Sequence, residues 1–489
     1  MSRLVAVALI SLANPCLGQV SLESALEGFE NGRGGPETVE FGNRPVEFAN
    51  SRALSDASEL DDIFSQFDER HLSDEVGYGG KAAIMPEWLR LGGTLSQEFA
   101  VNISHDAPED GEIDRRGLSS AQTRLDLAAD ANLDGDMRVR ITGYIQFDPV
   151  FRRRAGQAGI SGASSMPEPE IELGEAFVQG PLSDTADLTL GRQIVVWGRS
   201  DQFRVNDILN PVDNRTPGMT DIKNLRVPVT MARLELYSGP WNASFILVPE
   251  HRFDKTPSPG SDFYRSPIPP PPRDYPRHRF GSPGVALALT GTFSGWDLSF
   301  YFARILSRRA HLEMTSEGPR RRHNRISMLG AAGNFVTGSW LLKAEAAVFS
   351  NLRFSNVSDR DFNRFTLLAG AEYSGISDTT IALEAVNSRI SDFDGRLREP
   401  PDARRENEPS IAFRVNRSLL NDSLDLSMAL LAVGPGGKNG GLLRLQASRD
   451  ISDSIDMIGG ALFYLGGSQS PFSQISDNDR IFLGLNYHF

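Results

Sequence analysis

The last nine residues, Ile481-Phe-Leu-Gly-Leu-Asn-Tyr-His-Phe489, constrain the fold more than any other stretch. Phe489, Tyr487, Leu485, Leu483 and Ile481 are apolar at every second position, and His488, Asn486 and Gly484 lie between them. Successive side chains of a strand point to opposite faces, so this segment presents one oily face and one largely polar face. The final strand of a soluble sheet satisfies that pattern, and so does a barrel wall with lipid outside and water within.

The rest of the chain favours the second. Beyond the amino terminus no stretch approaches the ~20 consecutive apolar residues of a membrane helix, although the chain runs to 489 residues. A helical membrane protein is excluded. Arg3, the apolar run Leu4 to Ala13 and the small residues around Cys16-Leu17-Gly18 read as a signal peptide over residues 1–18. Cys16 is the single cysteine, so the mature chain is expected to hold no disulfide. Asn14 and Pro15 stand where a lipidation site wants small residues. The net charge of −13 argues against a nucleic-acid partner and suits an acidic surface or lumen.

Residues 19–86 differ in pattern from the rest of the mature chain. Apolar residues at 22, 26 and 29 and at 60, 63, 64 and 67 have helical spacing, and a Gly-rich polar linker from Asn31 to Ala53 separates them. We expect two short amphipathic helices in a periplasmic tail, a plug or a partner-docking arm. From residue 87 the alternation takes over. Leu89 to Ser104, Gln122 to Leu133 and Met137 to Asp148 each pair an oily face with a polar one, and turn residues bound every such run. Eighteen strands are expected, with sixteen as the alternative count. Short turns such as Leu133-Asp-Gly-Asp136 and Ser238-Gly-Pro240 alternate with long connections near 105–118, 149–169, 197–227, 251–282, 307–322, 352–362, 389–406 and 466–478. Only a closed barrel lets a sheet sit in lipid with every backbone group paired. The expected fold is therefore all-β: a transmembrane antiparallel β-barrel over residues 87–489.

Two resemblances add to this reading. An aromatic carboxy-terminal strand resembles the closing strand of bacterial outer-membrane barrels, in which that strand serves as the assembly signal; here it would be carried by Phe489, Tyr487 and Leu485. Leu26-Glu-Gly-Phe-Glu30, Gly174-Glu-Ala-Phe-Val-Gln-Gly180, Gly191-Arg-Gln-Ile-Val-Val-Trp-Gly198 and Asn206-Asp-Ile-Leu-Asn-Pro211 together resemble a large group of Gram-negative porin-like barrels of undefined substrate. That group is similar in organisation to alginate-export channels. The resemblance implies an outer-membrane location, contact with lipid and lipopolysaccharide, handling by the barrel-assembly machinery and, for some relatives, work beside an inner-membrane exporter of hydrophobic compounds. It implies no substrate and no cofactor.

Barrels of this size leave an aqueous lumen unless something fills it. The polar faces direct Arg90, Glu98, Arg124, Asp126, Asp130, Arg138, Arg140, Lys343 and Glu345 inward, a wall of mixed sign that would pass polar solutes. The segment after Val196 is too long and too polar for a plain connection. It is the expected constriction, with Arg199, Asp201, Arg204 and Asp207 at its head. The acidic loop Asp106 to Asp114 lacks the spacing of a calcium site, and the Arg308 to Arg322 loop suits lipopolysaccharide phosphates. None of the seven histidines has a metal-ligand spacing or a serine and acid partner, so an enzyme is not expected. Three functions fit: a diffusion channel for small solutes, a partner-dependent duct for hydrophobic compounds, and a structural or adhesive barrel with a closed lumen.

Overall fold

The computed structural model describes residues 86–108, 113–157, 169–220, 222–264, 270–274, 282–469 and 471–489. The signal peptide, both expected amino-terminal helices and residues 109–112 of the acidic loop lie outside the described residues.

The alternating runs fold as strands. These are β1 (Leu89–Asn102), β2 (Gly117–Leu133), β3 (Met137–Phe147), β4 (Glu170–Ser183), β5 (Ala186–Gln193), β6 (Val229–Ser238), β7 (Trp241–Val248), β8 (Gly284–Phe293) and β9 (Trp296–Leu306). A hairpin, β10 (His311–Thr315) with β11 (Gly318–Arg322), stands apart from the main sheet. The wall resumes with β12 (Arg325–Thr337), β13 (Trp340–Leu352), β14 (Phe362–Ile376), β15 (Thr379–Ile390) and β16 (Asn407–Leu419). It ends with β17 (Leu424–Val433), β18 (Gly440–Ser452), β19 (Ile455–Leu465) and β20 (Arg480–His488). Two short helices, α1 (Pro149–Gln157) and α2 (Phe472–Ile475), sit in the long connections.

The main sheet has 18 antiparallel strands and closes on itself, because β1 pairs with both β2 and β20. Closure is completed at the carboxy terminus, where Phe489 and Gly93 exchange backbone hydrogen bonds of 3.0 and 2.9 Å. Thr94 and His488 add a side-chain bond of 3.0 Å across the same joint. Leu91, Leu95, Phe99, Leu483, Leu485 and Tyr487 are all exposed, on the face away from the lumen. Exposure of so many large apolar groups in register is what a lipid-facing band requires. Aromatic pairs cluster at the short-turn end: Phe293 stacks on Trp296 at 4.2 Å, and Trp340 lies 4.6 Å from Tyr373. Rings at that height form one interfacial girdle.

The strand count equals the expected eighteen. Hydropathy alternation did not resolve β10, β11 or α1. Gly318-Pro-Arg-Arg-Arg322 has no apolar alternation, and its pairing with His311 to Thr315 is set by backbone hydrogen bonds that leave no such trace.

Candidate pore constriction

Wall strand β5 ends at Gln193, earlier than the aromatic Trp197 suggests. Val195 is already turned inward, because its N–H donates to Asn210 Oδ1 at 2.8 Å. The Asn210 amide donates in turn to the carbonyls of Gln193 and Val227, both at 3.1 Å. One fully buried amide thus closes the neck of the whole β5–β6 connection. Such a group satisfies three backbone partners where the ladder has parted.

Inside that neck the chain folds onto the lumenal face of the barrel. Val195, Trp197, Val205, Ile208 and Leu209 pack against inward-facing Met231, Ile246, Ala286, Tyr301, Ala303, Ile326, Met328, Ala347 and Phe349. Trp197 stacks on Tyr301 with centroids 4.9 Å apart. Asp207 accepts from Arg204 Nε and Arg226 Nε, each at 2.8 Å, and its backbone carbonyl accepts from Arg308 at 3.2 Å. Burial alone would push the Asp207 carboxyl up; Arg204 and Arg226 outweigh it and hold the group below the ordinary aspartate value.

Two wall carboxylates hold the tip. Glu345 on β13 accepts from the N–H groups of Arg199 and Ser200 at 2.6 and 2.7 Å and from the Asn206 amide at 2.8 Å. Glu384 on β15 accepts from Ser200 Oγ at 2.5 Å and from the N–H groups of Asp201 and Gln202, both at 3.2 Å. Lys343 reaches Asp201 at 2.6 Å, and Arg199 reaches Asp297 at 2.9 Å. The fit depends on two missing side chains. Gly198 has φ +90°, and a Cβ there would lie 2.7 Å from the Glu345 carboxylate. A Cβ at Gly330 on β12 would fall 1.8 Å from Asn206 Oδ1.

A second connection enters from the other side. Asp262, between β7 and β8, accepts from Arg154 at 2.6 Å and from Asn102 at 2.9 Å, and Phe263 packs edge-on to Tyr464. The first connection meets the same patch, since Tyr464 Oη donates to the Pro217 carbonyl at 2.5 Å. A water-accessible cavity of about 2670 Å³ remains, lined by wall residues from β1 to β20 and by both inward connections.

Placement of the expected site residues falls into three groups. Glu98, Arg124, Asp126, Arg140, Lys343, Arg199 and Asp201 line the cavity. Glu345, Arg204 and Asp207 are committed to holding the inserted connection rather than bordering the cavity. Asp130 is nine-tenths buried and takes Arg138 at 3.1 Å and Arg140 at 3.3 Å near the short-turn end, where Arg90 pairs in register with it. A further cluster was not singled out from the sequence. Lys255 binds Tyr144, Glu170 and Glu172, and Arg215 binds Glu170 at 2.7 Å; Arg124 stacks over the Tyr144 ring at 3.8 Å. The Asn206-Asp-Ile-Leu-Asn-Pro211 motif was the one legible signal for the loop's internal fastening.

These features define an 18-stranded transmembrane β-barrel with two connections folded into a charged lumen. The family model described as "Protein of unknown function (DUF1302)" matches residues 105–489, and the chain belongs to that family. No curated protein matches the sequence. Among solved structures it is similar to OccAB1 of Acinetobacter baumannii, at 11% identity over 84% of this chain and 99% of that one, with a TM-score of 0.49. OpdK of Pseudomonas aeruginosa, solved with vanillate, gives 9% identity, 82% and 98% coverage and a TM-score of 0.47. The outer-membrane channel DcaP of A. baumannii gives 11%, 82%, 97% and 0.41. None of these likenesses bears on what this chain transports.

Proposed function

We propose that the protein is a Gram-negative outer-membrane channel that passes small polar solutes by diffusion, with the 197–227 connection as its constriction. The observation that carries this reading is the cavity of about 2670 Å³, bordered by Arg124, Asp126, Lys343, Arg199 and Asp201 and narrowed by a tip pinned to Glu345 and Glu384. Charges of both signs on a hydrated wall favour polar and dipolar solutes over neutral apolar ones. In this reading Phe489, Tyr487 and Leu485 form the assembly signal, the long-loop end meets lipopolysaccharide, and residues 19–86 are a periplasmic segment.

Single-channel conductance of the refolded mature chain in planar bilayers tests it, alongside a version lacking residues 19–86. Stable conductance from the intact chain is the expected result. Silence from both forms overturns the channel. Conductance only after the deletion replaces the open channel by a plugged barrel that waits for a partner.

A further inference from the structure

The barrel wall is not hydrogen-bonded along its whole height. Strand β4 pairs with β3 from Gln179 up to Glu170, yet its pairing with β5 stops at Ala176 opposite Arg192. Above that point β5 has left for the lumen, so among the described residues no strand pairs with Glu170 to Glu175 on that side. The β3 side is irregular at the same height, where the register shifts between Ile141 and Gly143. There Thr142 Oγ1, a side chain, accepts the Glu175 N–H at 2.7 Å.

Side chains replace the missing ladder. Arg192 donates to the Leu173 carbonyl at 3.0 Å and to Glu250 at 2.8 Å, and Glu250 accepts from the Thr230 N–H at 2.9 Å. Behind them Arg252 and Lys255 bind Glu172, and Lys255 and Arg215 bind Glu170. A main-chain ladder parts only by unfolding a strand, whereas a stitch of side-chain bonds parts by rotamer changes.

The seam lies within the oily band. Leu173 and Ile171 on β4 are 48% and 70% exposed on the outer face. The same cavity that is bordered inside by Asp126, Tyr144 and Glu172 is also bordered by Leu127, Gly143, Leu173 and Val196. Leu127 and Leu173, outward-facing wall residues in register across Gly143, are 46% and 48% exposed, so the cavity reaches lipid-facing residues. Gly143 stands in register between Leu127 and Leu173, and a Cβ there would lie 3.1 Å from the Glu172 carbonyl, so a glycine is what lets β3 and β4 approach at the register shift.

We propose that the β4–β5 seam is a lateral portal through which amphipathic solutes, with an apolar body and a polar or charged head, pass between the lumen and the outer leaflet. The apolar body meets Leu127, Leu173 and Val196, and the head meets the charged pairs of Glu170 and Glu172. This rests on the channel reading, to which it adds a second exit. Lateral release spares such a solute the transfer of its apolar surface into water, which is unfavourable in proportion to the area exposed.

The test places one cysteine at Gln146, on the lumenal face of β3 behind the seam, or at Asn416, on the lumenal face of β16 where the wall is paired on both sides. Each is labelled with bimane in the refolded mature chain and placed in bilayers with or without brominated phosphatidylcholine, in the natural background and with Arg192→Ala. Expected is quenching at least severalfold greater at Gln146 than at Asn416, in the natural background or once Arg192 is removed. Equal quenching at the two positions in both backgrounds overturns the portal. Conductance of the same preparations reports separately on the channel: ion conduction with equal quenching removes the portal alone, and seam-dependent quenching without conduction removes the channel alone.

Discussion

Two sectors of one wall face the same lumen in opposite ways. From β1 to β4 the inward residues are Glu98, Arg124, Asp126, Arg140, Tyr144, Glu170 and Glu172, and they border the cavity. From β6 to β13 the long-loop half of the inner face includes Met231, Ile246, Val248, Ala286, Ala303, Ile305, Ile326, Met328 and Phe349, all buried. The first sector meets water and the second meets the inserted β5–β6 connection. Inward polarity therefore depends on what each wall touches, and the connection behaves as a small core built inside a barrel.

The largest expected effect comes from dissolving that core's attachment. Replacing Glu345 and Glu384 together by alanine leaves the N–H groups of Arg199, Ser200, Asp201 and Gln202 without acceptors. Each unsatisfied buried donor costs about 1–3 kcal/mol, more than a loop tip can absorb. The tip should leave the wall, and single-channel conductance should rise severalfold. Unchanged conductance would mean that the tip does not limit the passage.

Asp207→Ala should act one step lower, inside the connection. It takes away the carboxylate that Arg204 and Arg226 share in a buried setting, and breaking such a pair costs roughly 3–5 kcal/mol. The expected outcome is a noisier open channel and faster protease cleavage within 199–226, with the barrel itself intact by heat-modifiable gel mobility. On the wet sector, Arg124→Ala should do less. It removes one cation that already pairs with Asp126 at 2.7 Å, so the reversal potential in a salt gradient should move modestly toward cations.

The same contrast explains what was legible. Where one face meets lipid and the other water, as in β1 to β3, alternation marks the strands and which side chains share a face. Where both faces are apolar, as in Met231, Ile246 and Phe349, hydropathy does not say that the second face is covered by the protein itself. Glu345 read as a lumenal charge because its sequence position was right; its commitment to Arg199, Ser200 and Asn206 depends on contacts 139 to 146 residues away. The seam is invisible for a related reason. β5 continues in sequence as Ile194-Val-Val-Trp197, as good a strand as any, and it is Asn210 that draws it inward.

The smallest effect is a pH dependence at the root of the apolar sector. His323, just before β12, stacks on Phe253 of the β7–β8 connection with centroids 3.5 Å apart and contacts the Ser307 carbonyl at 2.7 Å. Burial, opposed by the Ser307 carbonyl and aided by Arg273, His311 and Arg321, pushes its pKa from 6.5 down to about 4. The folded form therefore holds this ring neutral, while the unfolded segment takes up a proton near 6.5. The contribution to stability is whole above pH 6.5 and is lost progressively as pH falls toward 4. Hydrogen-exchange protection in the 251–256 and 307–324 segments, taken relative to the intrinsic rate at each pH, should fall over that window and stay flat in the same segments between pH 7 and 8. His323→Phe keeps the stack without the proton and should remove the dependence. Persistence of the acid loosening in that variant would assign it to other groups and leave the apolar sector without a titrating root.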